Sequence, residues 1–249
     1  MAKIYSKGSK AQHDARKTLL NLFEKCPIPT DQLLVNLHLY MRSSVVAKIL
    51  YLNELYQKVI NLPGVIMEFG VWWGANLTFF ECLRAVYEPY NYTRKVIGFD
   101  TFQGYSAPNK EDGTSSYVAK GSYSVSTGYE KYLQKLLDYH EAENSLSQIK
   151  KTELVKGDAG AMIQKYLKNN PETIISLAYF DLQLYEPTKN CLQAIRSHLV
   201  KGSIIALDEL NNRDFPGETI ALKETFGLAN CRIVKSQFLP DRSFLIYGD

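Results

Sequence analysis

Residues Val65–Phe80 read VIMEFGVWWGANLTFF. Val65 to Phe69 form a short apolar run broken only by Glu68, the length of a buried strand, and glycine follows at Gly70 and again at Gly74. From Asn76 onward the apolar residues return at three- and four-residue spacing, the period of a helix. The stretch is therefore a strand, a glycine turn and a helix, with Trp72 and Trp73 inside the turn. Such turns are common, so the meaning of this one depends on what surrounds it.

Downstream the alternation repeats. KVIGFD (Lys95–Asp100), TELVKGD (Thr152–Asp158), TIISLAYFDL (Thr173–Leu182) and GSIIALDEL (Gly202–Leu210) read as strands. GYEKYLQKLLDYHEAEN, AGAMIQKYL, TKNCLQAIRSHL and PGETIALKETFG read as helices, with Pro187 where a first helical turn tolerates it. CRIVKSQFLPDRSFLIYG, Cys231–Gly248, reads as two strands about a Leu-Pro-Asp turn. Upstream, Pro29 to Leu62 has helical spacing and stops at Pro63-Gly64, giving one long helix or two short ones. The expected fold is α/β, with a doubly wound, mostly parallel seven-stranded sheet, an antiparallel C-terminal strand pair and an N-terminal helical extension. The boundaries expected are 1–62 for the extension and 63–249 for the sheet domain. Residues 101–127, rich in Gly, Ser and Tyr, are too long for an ordinary connection and read as a lid.

The composition excludes several classes. With 45% hydrophobic and 22% charged residues in 249, the chain is an ordinary globular one. A net charge of +3, from 29 basic and 26 acidic residues, gives no footprint for nucleic acid. The basic cluster KGSKAQHDARK, which starts at Lys7, reads as a solvated tail. Cys26, Cys82, Cys191 and Cys231 lie far apart without metal-ligand spacing, as thiols in a reducing compartment do. No apolar run reaches membrane-spanning length and the N-terminus lacks a signal-peptide core, so the expectation is a cytoplasmic protein with no membrane partner.

In parallel sheets ligands bind beyond the carboxyl ends of the strands. All five expected parallel strands carry an acid there: Glu68, Asp100, Asp158, Asp181 and Asp208. Singly, each is as well read as a helix N-cap. A dinucleotide turn would show G-x-G-x-x-G facing a pyrophosphate. Here Glu68 stands in place of the first glycine and would repel phosphate. The pattern E-x-G-x-x-x-G suits a ligand with a positive end and no phosphate, which disfavours a nicotinamide-dependent oxidoreductase.

This turn resembles motif I of class I S-adenosylmethionine-dependent methyltransferases, which implies that the α/β sheet is Rossmann-like. The resemblance implies a cofactor site of Glu68, Gly70 and Gly74 in the turn, Asp100 on the ribose hydroxyls and Asp158 on the adenine amine. EFGVWWGANLTFF, YTRKVIGFDTFQGY, YFDLQLYEPT and LDELNNRDFPGET, in that order, are similar to the macrocin O-methyltransferase group of sugar methyltransferases, most of all its branch acting on enediyne deoxysugars. That likeness runs from about Tyr40 to the C-terminus. It implies transfer of a methyl group to a sugar hydroxyl of a natural product or glycan, assisted by Mg²⁺ held by Asp181, Asp208 and Glu209. As a reading of the residues alone, Asp208-Glu209 is also a helix cap. The second acid of the group's Y-x-D-x-D-x-Y segment, its assigned base, is Gln183 here. An amide cannot take a proton near neutral pH, so the expected catalytic set is Asp181, Gln183 as an orienting group and Glu209 as the nearest acid.

Two other readings stay open: a phenol or catechol O-methyltransferase with the same cation site, and a binding protein that keeps the fold without catalysis. The apolar segment LYMRSSVVAKILYLNELYQKVI is expected to cover the cofactor end of the sheet or a second subunit, which makes a homo-oligomer the expected assembly and Arg42 a candidate cofactor or substrate contact. Of the two tryptophans, one is expected in the core and one at the cofactor. Tyr105, Tyr117 and Tyr123 of the lid are candidates to stack on a sugar ring, and His38 and His140 read as structural.

Overall fold

The structure is a computed structural model that describes residues 8–248. In chain order the elements are α1 (Lys10–Glu24), α2 (Thr30–Leu33), a 3-10 segment (Leu34–Tyr40), α3 (Ser43–Val59), β1 (Val65–Phe69), α4 (Ala75–Tyr87), β2 (Val96–Asp100), α5 (Tyr129–Glu143), β3 (Thr152–Lys156), α6 (Ala159–Asn169), β4 (Ile175–Phe180), α7 (Tyr185–Ile195), β5 (Leu199–Leu207), α8 (Gly217–Phe226), β6 (Arg232–Lys235) and β7 (Ser243–Ile246). The seven strands form one sheet in the order β3-β2-β1-β4-β5-β7-β6. β1 to β5 pair in parallel, and β7 runs antiparallel to both β5 and β6. The chain works outward from β1 to β3 and then crosses back to β4, so β1 and β4 are neighbours at the switch point where such sheets open a cleft.

Strand side chains alternate between two apolar layers. In β1, Val65, Met67 and Phe69 join the core under α6, α7 and α8, where Phe69 stacks between Phe99 and Phe180 at 5.1 and 4.7 Å. Ile66 joins the opposite core with Leu177, Tyr179 and Ile204, against Tyr51, Leu52, Leu55, Tyr56 and Val59 of α3 and Leu77 and Phe80 of α4. Glu68 shares the parity of Ile66, so the one acid of the strand points into that second layer and is fully buried.

The helical stretch after Pro29 is neither one helix nor two regular ones. It breaks into α2, the 3-10 segment and α3, with a bend of 88° between Thr30–Tyr40 and Ser43–Val59. Among the described residues no single helix is long and apolar enough to cross a membrane. The cluster read as a solvated tail is mostly the first turns of α1, and its first residue, Lys7, lies outside the described residues. Ser9 and Gln12 form a reciprocal capping box that starts this helix. No residue of α1, α2 or the 3-10 segment is buried, and Leu20, Leu34, Val35 and Leu39 are more than half exposed.

Candidate active site

A cavity of about 810 Å³ opens at the carboxyl ends of β1 and β4. Its wall comes from the glycine turn (Gly70, Val71, Trp72, Trp73), the strand ends (Asp100, Asp181, Asp208), α3 (Lys48, Ile49, Leu52), the lid (Gly104, Tyr105, Tyr123) and the β6–β7 turn (Asp241, Arg242).

The turn is held by carboxylate-to-amide bonds. Asp100 Oδ2 accepts from the amides of Val71 and Trp72 at 2.7 and 2.8 Å, and its Oδ1 accepts from Phe102 at 2.6 Å. One acid thus ties the turn after β1 to the first residues of the lid. Gly70 has φ +92°, and a Cβ there would run into the carbonyl of Asp181. No side chain fits at this position, and the backbone itself forms the cavity floor. Gly74 has φ +82° at the start of α4, with Leu133 packed where a Cβ would be.

The acids at the other strand ends take different roles. Glu68 does not line the cavity. Burial pushes its carboxyl well above the ordinary range, against the hydrogen bond it accepts from Asn76 at 2.9 Å, and it braces the first turn of α4. Asp158 lies outside the cavity wall as well, where it caps α6 by accepting from Ala161 at 2.9 Å. Asp181, Gln183, Asp208 and Glu209 are brought together as the sequence implied, and all four line the cavity. Arg42 lines it too, at the start of α3.

Burial pushes the Asp181 carboxyl up to about 6, helped by the charge of Asp208 and opposed by Lys48 and Arg242. For Asp208, burial acts in the same direction but loses. Arg242 at 2.6 Å and Lys48 at 2.7 Å, with the Tyr179 hydroxyl donating to the same oxygen as Lys48, hold it down to about 2. Glu209 is pushed up to about 7 by burial, with Arg242 pulling down and Asp208 pushing up. Behind these groups, Glu218 of α8 is fully buried. It accepts from the amides of Leu182 and Gln183 at 3.2 and 2.9 Å and from Glu209 at 3.1 Å, clamping the loops after β4 and β5 together.

Mg²⁺ does not fit this arrangement. Hard oxygen donors are present, but Asp208 already gives both oxygens to two cations and a phenol. Among the described residues no three acids, histidines or cysteines stand close enough to hold an ion. The cation position expected between Asp181, Asp208 and Glu209 is taken by the Lys48 ammonium and the Arg242 guanidinium.

Gln183 sits in the left-handed region at φ +62°, with its Oε1 buried and unpartnered and its Nε2 3.4 Å from Asp181. Trp72 and Tyr123, at φ +51° and +61°, also line the cavity. Backbone strain of this kind gathers where function requires it. Both tryptophans line the cavity and neither is core. Trp72 meets Tyr123 edge-on at 5.8 Å, and Trp73 meets Tyr129 at 4.7 Å. Tyr105 and Tyr123 close over the site, whereas Tyr117 packs instead on Val118, Leu184 and Phe215. The lid is fixed at its middle by Asp112, which accepts from Asn109 and from the Tyr185 amide at 2.8 and 2.6 Å. His38 and His140 lie away from the cavity.

Lys48, Tyr179, Arg242 and Glu218 escaped the sequence reading. Lys48 left one usable trace, a lone cation on an otherwise apolar helix face in VVAKILYL. The other three are recognisable only once the chain is folded.

Three comparisons bear on this geometry. The family model for macrocin O-methyltransferase (TylF) matches residues 46–220. A crystal structure of CalS11, a calicheamicin methyltransferase, is 41% identical with a TM-score of 0.95, covering 98% of this chain and 96% of that one. The apo structure of CalS11, described as a TDP-rhamnose 3'-O-methyltransferase, is 40% identical with a TM-score of 0.87 and covers 98% of both chains. The O-methyltransferase NovP shares the fold at 18% identity and a TM-score of 0.61, over 81% of this chain and 79% of that one. No curated protein sequence matches the chain.

Proposed function

The chain belongs to the macrocin O-methyltransferase family, and from that membership we propose that it methylates a deoxysugar hydroxyl with S-adenosylmethionine as donor. The observation that supports this most directly is the cavity itself. Its glycine floor admits no side chain at Gly70, and its wall carries five acids, Asp100, Asp181, Asp208, Glu209 and Asp241, and no phosphate cradle. A ligand with a sulfonium charge fits such a wall, and a dinucleotide does not. Gly70 and Asp100 would hold the donor, with Asp181 as the anionic wall; Gly74 does not line the cavity and instead lets Leu133 pack at the start of α4. When bound, the donor supplies an electrophilic methyl carbon.

The remaining work falls to residues of this chain. A sugar hydroxyl must be placed, kept from water and relieved of its proton as its oxygen bonds to carbon. Gln183 Oε1 is a buried acceptor without a partner, suited to taking a hydrogen bond from that hydroxyl. Glu209, raised to about 7, is poised to accept a proton near neutral pH, and Gln183 cannot. Asp208 stays ionised between Lys48 and Arg242 and fixes both cations against Tyr179. The lid tyrosines exclude water.

The test pairs binding with turnover. Calorimetry should show S-adenosylhomocysteine binding that weakens by about 2 kcal/mol or more in Asp100→Ala, since hydrogen bonds to charged groups are among the stronger ones. Mass spectrometry should show one methyl group added to a deoxysugar. Glu209→Gln should lower kcat with little change in KM. Unchanged affinity in Asp100→Ala, or donor binding with no transfer across a panel of deoxysugars, would refute the assignment.

A further inference from the structure

The helix α3, expected to cover the sheet or a second subunit, has an inner and an outer face. Tyr51, Leu52, Leu55, Tyr56 and Val59 are buried against the sheet. Val45, Val46 and Leu50 stay exposed, and they continue an apolar region that begins in α1 and runs through the 3-10 segment. Between Leu20 and Leu50 the chain exposes eleven large apolar side chains, Val35 by 78% and Leu34 by 71%. Phe23 meets Tyr40 edge to face at 5.0 Å, and a groove of about 250 Å³, walled by α1 with Tyr40 and Arg42, joins α1 to the foot of α3.

This arm does not hold its shape through its own packing. α1, α2 and the 3-10 segment bury no described side chain, so burial does not offset the entropy of ordering them. α2 has four residues and the 3-10 segment seven, and runs this short are unstable in water unless packed on something. The eleven side chains leave on the order of 1,000 Å² of apolar surface exposed, whereas the largest patch on a monomer is about 300–600 Å². A stable complex takes about 800 Å² from each partner, so the arm alone supplies one side of an interface.

The composition of the arm selects what covers it. Thr30–Met41, TDQLLVNLHLYM, contains no Lys or Arg. A helix that lies on a membrane carries those cations on its polar face, whereas contacts between copies of one chain are apolar and depleted of charge. The other exposed large apolar residues, among them Val86, Leu136 and Leu228, are spread over α4, α5 and the segment before β6. The surface on this molecule that best matches the arm is therefore the arm itself, and identical surfaces that meet close as a two-fold pair.

We propose that the arm, from α1 through the 3-10 segment to the outer face of α3, docks on the same arm of a second copy of this chain. Arg42 and Val45 line the main cavity, so the contact lies beside that cavity and uses none of the groups assigned to methyl transfer. The association needs neither donor nor acceptor.

Sedimentation equilibrium of the full chain without ligand should give a dimer, and its melting temperature should rise with protein concentration. Val35→Glu and Leu39→Glu each place an unpaired carboxylate in the interface and should weaken association about a hundredfold or more, removing the concentration dependence of melting. Leu136→Glu on α5 should change neither. Near-ultraviolet circular dichroism shows whether each variant is folded, and the concentration dependence of melting in the unaltered chain decides the matter even if one variant is not. A chain that is monomeric at every concentration overturns the proposal. A dimer that survives both arm variants, or that Leu136→Glu dissociates, places the contact elsewhere and overturns it as well. A monomer that floats with phosphatidylglycerol vesicles, and no longer does so in Val35→Glu, would put a bilayer where the second copy is proposed and overturn it equally.

Discussion

Two arginines stand at opposite ends of the same sheet, Arg94 buried and Arg242 half-buried, and their surroundings differ. At the amino-terminal edge Arg94 is 1% exposed and spends all three nitrogens. Its Nε donates to Glu88 at 2.8 Å, Nη1 to the Gly64 carbonyl and Ser176 Oγ at 2.5 and 2.6 Å, and Nη2 to the carbonyls of Val59 and Leu62 at 3.0 and 2.7 Å. Glu88 is half-buried, and the loss of water alone would raise its carboxyl, yet Arg94, Tyr56 and Asn91 lower it. At the carboxyl edge Arg242 reaches Asp208 but leaves Nε buried without a partner, and the neighbouring acids Asp181, Glu209 and Glu218 all titrate high. The amino-terminal edge is a closed network that joins α3 to the sheet. The rim keeps groups unsatisfied, which costs stability and leaves them available to a ligand.

The largest expected effect tests the amino-terminal edge. Arg94→Ala strands the Glu88 charge and four backbone or hydroxyl acceptors, and urea titration should show a loss of about 3–5 kcal/mol. Arg242→Ala should cost only about 1 kcal/mol, because Lys48 and Tyr179 still hold Asp208, while turnover falls tenfold or more. Equal losses of stability in the two variants would break the comparison.

Next in size is the pH dependence. An acid whose value is raised by folding holds its proton more tightly in the native state, so its contribution to stability falls as pH climbs from the ordinary value to the folded one. For Glu209 that window runs from 4.5 to about 7, and for Glu218 from 4.5 to about 8. Glu88 has the opposite sign: its contribution is present above 4.5 and lost as pH falls through its lowered value. Stability of the free protein should therefore decline between pH 5 and 8. Glu209→Gln should remove a part of that decline on the order of 2 kcal/mol. A flat profile in the unaltered protein would mean that the rim acids are solvated and unstrained.

The two edges also differ in how much of them could be read from the sequence. The rim acids were legible because each closes a strand of clear apolar period, and strand parity explains why Glu68 faces α4 and not the cavity. Asp158 shows the weakness of that rule, since the same position at a strand end serves equally as a helix cap. Lys48 and Arg242 were not legible because they reach Asp208 across 160 residues and from a turn, and no local pattern encodes a cross-chain ion pair. The metal expected among these acids was implied by the family resemblance, and with neither cation in view nothing stood against it. Arg94 was invisible for the same reason, being an ordinary basic residue before a strand. The capping box at Ser9 and Gln12 was legible and was passed over, because the residues around it are strongly polar.

The smallest effect concerns strain, and it separates the two edges most sharply. Gln183 holds φ +62°, which costs a residue with a Cβ roughly 1–2 kcal/mol, and it also carries a buried oxygen without a partner. Gln183→Gly should relieve both, offset by the greater chain entropy that glycine loses on folding. The net expectation is a gain of up to about 1 kcal/mol in urea titration. The same variant removes the group assigned to orient the acceptor, so KM for the sugar should rise several-fold while the pH profile of kcat keeps its shape. Leu146, at φ +57° and away from the cavity, provides the control. Leu146→Gly should relieve the dihedral strain without altering KM. If both variants stabilise the protein and both leave KM untouched, the strain at Gln183 is incidental to the site. If only Gln183→Gly exchanges affinity for stability, the strain holds the amide where the acceptor needs it.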